Sequence, residues 1–441
     1  CKDTQQLNDV EINQHLGGHP MKIRLSTTVG GAALLALNFG PLASAQSADE
    51  YFDRDSVQPV GERTDPAYTQ PPIRSGSFNI RPEVVFSGGL NSNTLATDLN
   101  EESDSFVGVT PSISFDSDWL RHGLGAYVSV DHRENSELEN ESRTNAKIKL
   151  RGRLDLAEST GLTIELAGAD ETEDRTALSA VPNSIEPNEY STASGRLGFD
   201  HQAGRFQIEA GVGLSTFDFD DTEIEGELFQ DQNFRDRDEL NVLGRVAFAV
   251  SRDLALYAKA THTEADYSPP NIFTLFNRDS SGSVLLVGTD FEFGDTLRGD
   301  IGVGYQHYTY DDVSFEDISD LAFSGQLDWM VSDNTTLSAE GRRVVIDPGV
   351  ALTNAAIETG TSVRLEQGLT PRFSVSGEAG FTQYEFETIE RDDDRLDLRL
   401  GAKWKGKRSM WLDLGYEVID QTSDVQAFTD NRVLLKMRIF P

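Results

Sequence analysis

Cysteine is nearly absent: Cys1 is the single one in 441 residues. Beyond it there is no disulfide framework, no thiolate metal site and no cysteine nucleophile. Basic residues are scarce beside acids. Lys and Arg total 38, Asp and Glu 74, and the formal net charge is −36. That balance excludes a nucleic-acid partner, because phosphate contacts need a basic face. Long apolar runs are missing too. Hydrophobic residues make up 37%, whereas a helical membrane protein needs about 20 mostly apolar residues per span. Disorder along the whole length is excluded, since aromatics recur throughout.

Catalytic and metal motifs are also lacking. No HExxH, P-loop or Cys/His metal spacing occurs. His122, His132, His201, His262 and His307 have no Ser and acid at a matched level, so a triad is not expected. Gly211-Val212-Gly213 and Gly302-Val303-Gly304 resemble dinucleotide loops but fall inside strand patterns. Acidic runs such as Asp218–Asp221 and Asp392–Asp394 lack EF-hand spacing. The expectation is no enzyme, no cofactor and no metal.

What is present begins with a leader. Lys22 and Arg24 precede the apolar stretch Leu25–Leu37, and Ala43-Ser44-Ala45 offers a small-residue cleavage site. Residues 21–45 therefore read as a signal peptide and 1–20 as an upstream extension. Residues 46–76, with Pro59, Pro66, Pro71 and Pro72, read as a periplasmic Pro-rich tail.

From Ser77 onward apolar residues alternate at period two. In one strand Ala146, Ile148, Leu150, Leu154 and Leu156 share one parity, and Lys147, Lys149, Arg151, Arg153 and Asp155 the other. The pattern repeats about eighteen times, with connections alternately short and long. This predicts an all-β, transmembrane, antiparallel up-and-down barrel of about 18 strands over 77–441 in a bacterial outer membrane. Both termini would be periplasmic, with every long loop outside. Trp119, Trp329, Trp404 and Trp411 flank short turns and are expected to form a membrane girdle. The surrounding partners would be outer-membrane lipid and lipopolysaccharide.

Pro66, Tyr68, Ile73, Arg74, Gly76, Ser77, Phe78 and Pro82, followed by the Asn91–Asn93 stretch, resemble the opening of the putative β-barrel porin 2 family. The specific likeness covers about 66–93, and the rest is pattern. One departure is that Phe440 is followed by Pro441, where such barrels usually end in an aromatic. The resemblance implies a component of exopolysaccharide secretion. Polysaccharide would be the solute and a periplasmic polysaccharide-export protein the partner. The alternative is a general diffusion porin for small solutes; a barrel-scaffolded enzyme or adhesin is a third reading.

With apolar parity facing lipid, the opposite parity lines the pore. The candidates are Lys147, Lys149, Arg151, Arg153, Glu165, Arg196, Glu209, Arg245, Lys259, Arg298, Asp300, Arg342, Arg364 and Arg399. A cationic wall would guide an anionic solute. Pairing of opposite charges across neighbouring strands is the blander expectation. Among the loops, 267–281 is the one expected to fold inward, because Ile272, Phe273, Leu275 and Phe276 are apolar for an external loop.

Overall fold

A computed structural model describes residues 52, 58–63, 65–182, 184–224, 228–268, 276–294 and 296–441, and the backbone of a short pairing of Gln14–Leu16 with His19–Met21. The signal-peptide reading and most of the tail before Gln58 lie outside the described residues.

Eighteen strands close into one barrel. In chain order they are β1 (Phe78–Asn91), β2 (Asp104–Ser117), β3 (Gly123–Asn135), β4 (Arg143–Ala157), β5 (Thr160–Thr172), β6 (Glu189–Ala203), β7 (Phe206–Phe219), β8 (Arg237–Ala249) and β9 (Leu254–Tyr267). The circuit continues through β10 (Ser280–Phe293), β11 (Leu297–Tyr310), β12 (Ile318–Ser332), β13 (Thr335–Ile346), β14 (Ala356–Thr370), β15 (Phe373–Phe386), β16 (Asp392–Lys407), β17 (Met410–Thr422) and β18 (Phe428–Ile439). Every strand pairs antiparallel with its chain neighbours, and β18 returns to β1 through Arg432↔Asn91 to Ile439↔Val84. Closure leaves no edge strand, so the backbone polar groups of the strands pair within the wall.

Alternation in sequence becomes inside and outside in space. On β4, Ile148, Leu150, Leu154 and Leu156 are exposed on the outer face, while Lys147, Lys149 and Arg151 turn inward and are half-buried. The same division holds for Val303 on β11, Val363 on β14 and Leu398 on β16. So many exposed apolar side chains are intolerable in water but match lipid. Glycine serves crowding here: a Cβ on Gly302 would stand 2.6 Å from the Tyr257 hydroxyl. That disposes of the dinucleotide-loop likeness. Pro111 interrupts the β2–β3 ladder, which lacks pairs between Val109↔His132 and Ser112↔Ser129 and resumes in the same register, because proline has no N–H to give.

Short turns all lie at one end and long loops at the other. Trp329 and Trp404 face outward near short turns, 44% and 40% exposed, and Trp119 packs edge-on against Phe78 at 5.8 Å. Trp411 differs. It shares the inward parity of Asp413 and Glu417, its Nε1–H donates to the Tyr68 carbonyl at 3.0 Å, and it meets Phe440 at 5.0 Å. Three tryptophans thus sit on the lipid side and the fourth seals the inside of the short-turn mouth. His132, His262 and His307 also face outward, each with Nδ1 tied to a cross-strand hydroxyl (Thr144, Ser283 and Ser319).

Candidate functional site

The working surface of a closed barrel is its inner wall. All fourteen candidate pore residues are on inward parity, and most stand beside an opposite charge on a neighbouring strand. Lys147 lies 2.6 Å from Glu171. Arg151 and Arg196 share Glu165 at 3.4 and 3.6 Å. Arg153 bridges Asp155 and Asp200 at 2.8 and 3.1 Å. Arg245 meets Glu209 at 3.1 Å and Asp290 at 3.7 Å, and stacks over the Tyr257 ring at 4.6 Å. The Tyr257 hydroxyl donates to Asp300 at 2.9 Å. Arg298 contacts Asp328 at 2.9 Å, Arg342 pairs with Glu358, and Arg364 holds Glu366 at 2.7 Å. Arg399 reaches both Glu378 and Glu417 at 2.7 Å.

The wall is therefore a lattice of cross-strand pairs rather than a bare cationic track. Lys149 and Lys259 stand apart: among the described residues neither has a carboxylate within 4.0 Å. Arg364 is the most solvent-reachable of these paired pore arginines, its side chain 45% exposed. It borders a cavity of about 230 Å³ together with Arg399, Lys403, Glu378, Glu417 and the backbone of Val60 and Gly61.

Two chain segments enter the bore. From the long-loop end, the connection at 173–188 folds inward. Its buried acids and bases reach neighbouring long loops and strands on the inner wall. Glu173 meets Arg235 at 2.7 Å, Asp174 meets Arg432 at 3.2 Å, and Arg175 meets Glu141 at 2.6 Å. Arg395 donates to the Thr176 carbonyl at 2.7 Å. Leu178 drops into a buried apolar cluster with Ile346, Ala356, Tyr384 and Phe386. Burial pushes the Asp174 carboxyl up, but Arg432 and then Arg143 outweigh it and hold Asp174 well below the usual carboxylate range. Asp174 is therefore ionised at neutral pH, and its ion pair helps to latch the segment to the wall.

The expectation that the loop at 267–281 folds inward rests on a stretch that falls mostly outside the described residues. Residues 269–275, with Ile272, Phe273 and Leu275, lie outside the described residues. Phe276 packs on Phe315 of the next long loop at 5.5 Å. The inward path of the 173–188 connection was not expected from the sequence; its run of small and apolar residues, Thr176-Ala177-Leu178-Ser179-Ala180-Val181, is the local signal for it.

From the short-turn end, residues 58–63 and 65–68 lie across the mouth. The Val60 N–H donates to Thr336 Oγ1 at 3.0 Å and the Gly61 N–H to Glu366 Oε2 at 2.8 Å. Glu62 reaches Arg298 at 3.2 Å. Arg372 donates to the Tyr68 hydroxyl at 2.9 Å and Arg408 to the Ala67 carbonyl at 3.2 Å.

Comparison with known proteins adds the following. The profile of the putative beta-barrel porin 2 family matches residues 65–440. No curated protein matches the chain in sequence. Among solved structures, the Pseudomonas aeruginosa OccK2 (OpdF) structure is similar at 10% identity with a TM-score of 0.47, over 82% of this chain and 98% of that one. A BenF-like porin from Pseudomonas fluorescens Pf-5 is similar at 9% identity with a TM-score of 0.44, over 82% and 99%.

Proposed function

The chain belongs to the putative beta-barrel porin 2 family, and from that premise we propose that it is a diffusion channel for small polar solutes. It is a porin-like channel of the bacterial outer membrane; the finer reading concerns what passes. The observation that carries it is the narrowing of both mouths, by residues 173–188 at one and 58–68 at the other. A polymer needs a clear bore from end to end, whereas a small solute can slip past a constriction lined with paired charges. Small-solute diffusion therefore replaces exopolysaccharide passage as the leading reading, and no periplasmic polysaccharide-export partner is required. In this reading the short-turn end faces the periplasm and the barrel is a channel rather than an enzyme scaffold.

Liposome swelling with sugars and amino acids of increasing size tests the proposal. Entry of mono- and disaccharides with exclusion of larger oligomers is the expected result. A gene deletion that abolishes polymer secretion while leaving small-solute uptake unchanged would return the export reading.

A further inference from the structure

Residues 58–68 contact the mouth as a ligand contacts a site. Thr336, which is fully buried, accepts the Val60 N–H at 3.0 Å, and Glu366 accepts the Gly61 N–H at 2.8 Å. Arg298, 3% exposed, receives the Glu62 carboxylate at 3.2 Å. The Trp411 indole donates to the Tyr68 carbonyl at 3.0 Å. The wall thus offers two acceptors, a cation and a donor in the order that an acidic peptide presents its complements. One position is also sensitive to size: a Cβ on Gly61 would stand 2.5 Å from the Glu366 carboxylate, so a larger residue there must push that carboxylate aside and give up the hydrogen bond it accepts.

The two inward segments are held differently. The 173–188 latch rests on buried ion pairs. Several of the strap's contacts, such as Gly61 to Glu366 and Arg408 to Ala67, are open to solvent. Segments held by exposed hydrogen bonds open at much lower free energy than those held by buried contacts. The strap is the part that leaves.

We propose that the short-turn mouth contains a binding site for short peptide-like solutes with a glycine followed by an acidic residue, and that residues 58–68 occupy it as a tethered ligand. The proposal rests on the channel reading above. Displacing the strap frees Thr336, Glu366 and Arg298 to take the backbone donors and carboxylate of an incoming molecule of the same chemistry.

Planar-bilayer recording of the full chain and its Gly61→Leu variant tests this. The added side chain displaces the Glu366 carboxylate that accepts the Gly61 N–H, the strap is loosened, and single-channel conductance rises. The peptide acetyl-Gln-Pro-Val-Gly-Glu-Arg-amide, a copy of residues 58–63, is then added to each chamber in turn. It blocks the variant from one side, and a copy with Leu in place of Gly does not. A Glu62→Ala variant loosens the strap without crowding the wall. It gives a smaller rise and the same block, and it serves if Gly61→Leu fails to fold. Conductance unchanged in both variants overturns the proposal while the channel reading survives. So does an open current that the peptide leaves untouched. Silence from all three proteins overturns both.

Discussion

The Arg235 guanidinium grips the Glu173 carboxylate with two hydrogen bonds, Nη2 to Oε1 at 2.7 Å and Nη1 to Oε2 at 3.1 Å. Both side chains are almost wholly out of solvent, and Arg235 also stacks over the Phe219 ring at 3.9 Å. Removing one partner of such a pair leaves the other charge buried and uncompensated, at a cost of about 3–5 kcal/mol. Glu173→Gln should therefore free the 173–188 segment from the wall, raise conductance and speed amide exchange across it. Exchange as slow as in the parent would show that the pair does not hold the constriction.

Among the fourteen candidate pore residues, Lys149 and Lys259 are the cations with no carboxylate of the described residues within salt-bridge distance. An uncompensated charge on a pore wall biases the permeating ions, whereas a paired one contributes little beyond its neighbours. The double change Lys149→Glu and Lys259→Glu should shift the reversal potential under a salt gradient toward cations. Arg399→Gln should shift it less, because Glu378 and Glu417 already balance that arginine. Equal shifts from both would mean that pairing does not govern selectivity here.

The strands and the alternation of short and long connections were legible because a period of two is imposed on every wall residue by lipid on one side and water on the other. Even the lumenal parity of Trp411 was written in the chain, two residues from Asp413; proximity to a turn alone suggested the girdle. The path of the inward loop was not legible in that way. Asp174 finds Arg432 at a separation of 258 residues, and no local pattern announces so distant a partner. Apolar content, which drew the sequence reading to the 267–281 loop, is no guide to a segment such as 173–188 that is held by charge complementarity. The strap's role was hidden for the same reason: Gly61 and Glu366 are 305 residues apart.

The division of faces makes a quantitative demand on the wall. Val303 is central on β11, outward-facing and 56% exposed. An arginine on the lipid side near mid-depth costs about 2–4 kcal/mol. Val303→Arg should lower the urea midpoint of unfolding in detergent or lipid and slow membrane insertion. Gln326 on β12 faces inward, opposite Asp300 on one side and Glu340 on the other. Gln326→Arg should be tolerated, since it meets two carboxylates in a hydrated bore. Equal destabilisation by the two changes would contradict the assigned faces.

In the long loop at 220–236, Asp236 Oδ1 accepts the Phe219 N–H at 2.8 Å. Burial first, and then the charges of Asp218, Asp231 and Asp221, push its carboxyl up to about 6. In an unfolded chain the same group titrates near about 3.9. The folded loop therefore holds a proton that the unfolded one has released between those values. Its order is greatest below about pH 4 and declines as pH rises through about 6, where the ionised carboxylate faces its acidic neighbours. Hydrogen exchange at 219–236 should quicken over that interval, and Asp236→Asn should flatten the profile. A loop that instead tightens as pH climbs would reverse the sign and remove Asp236 from the account.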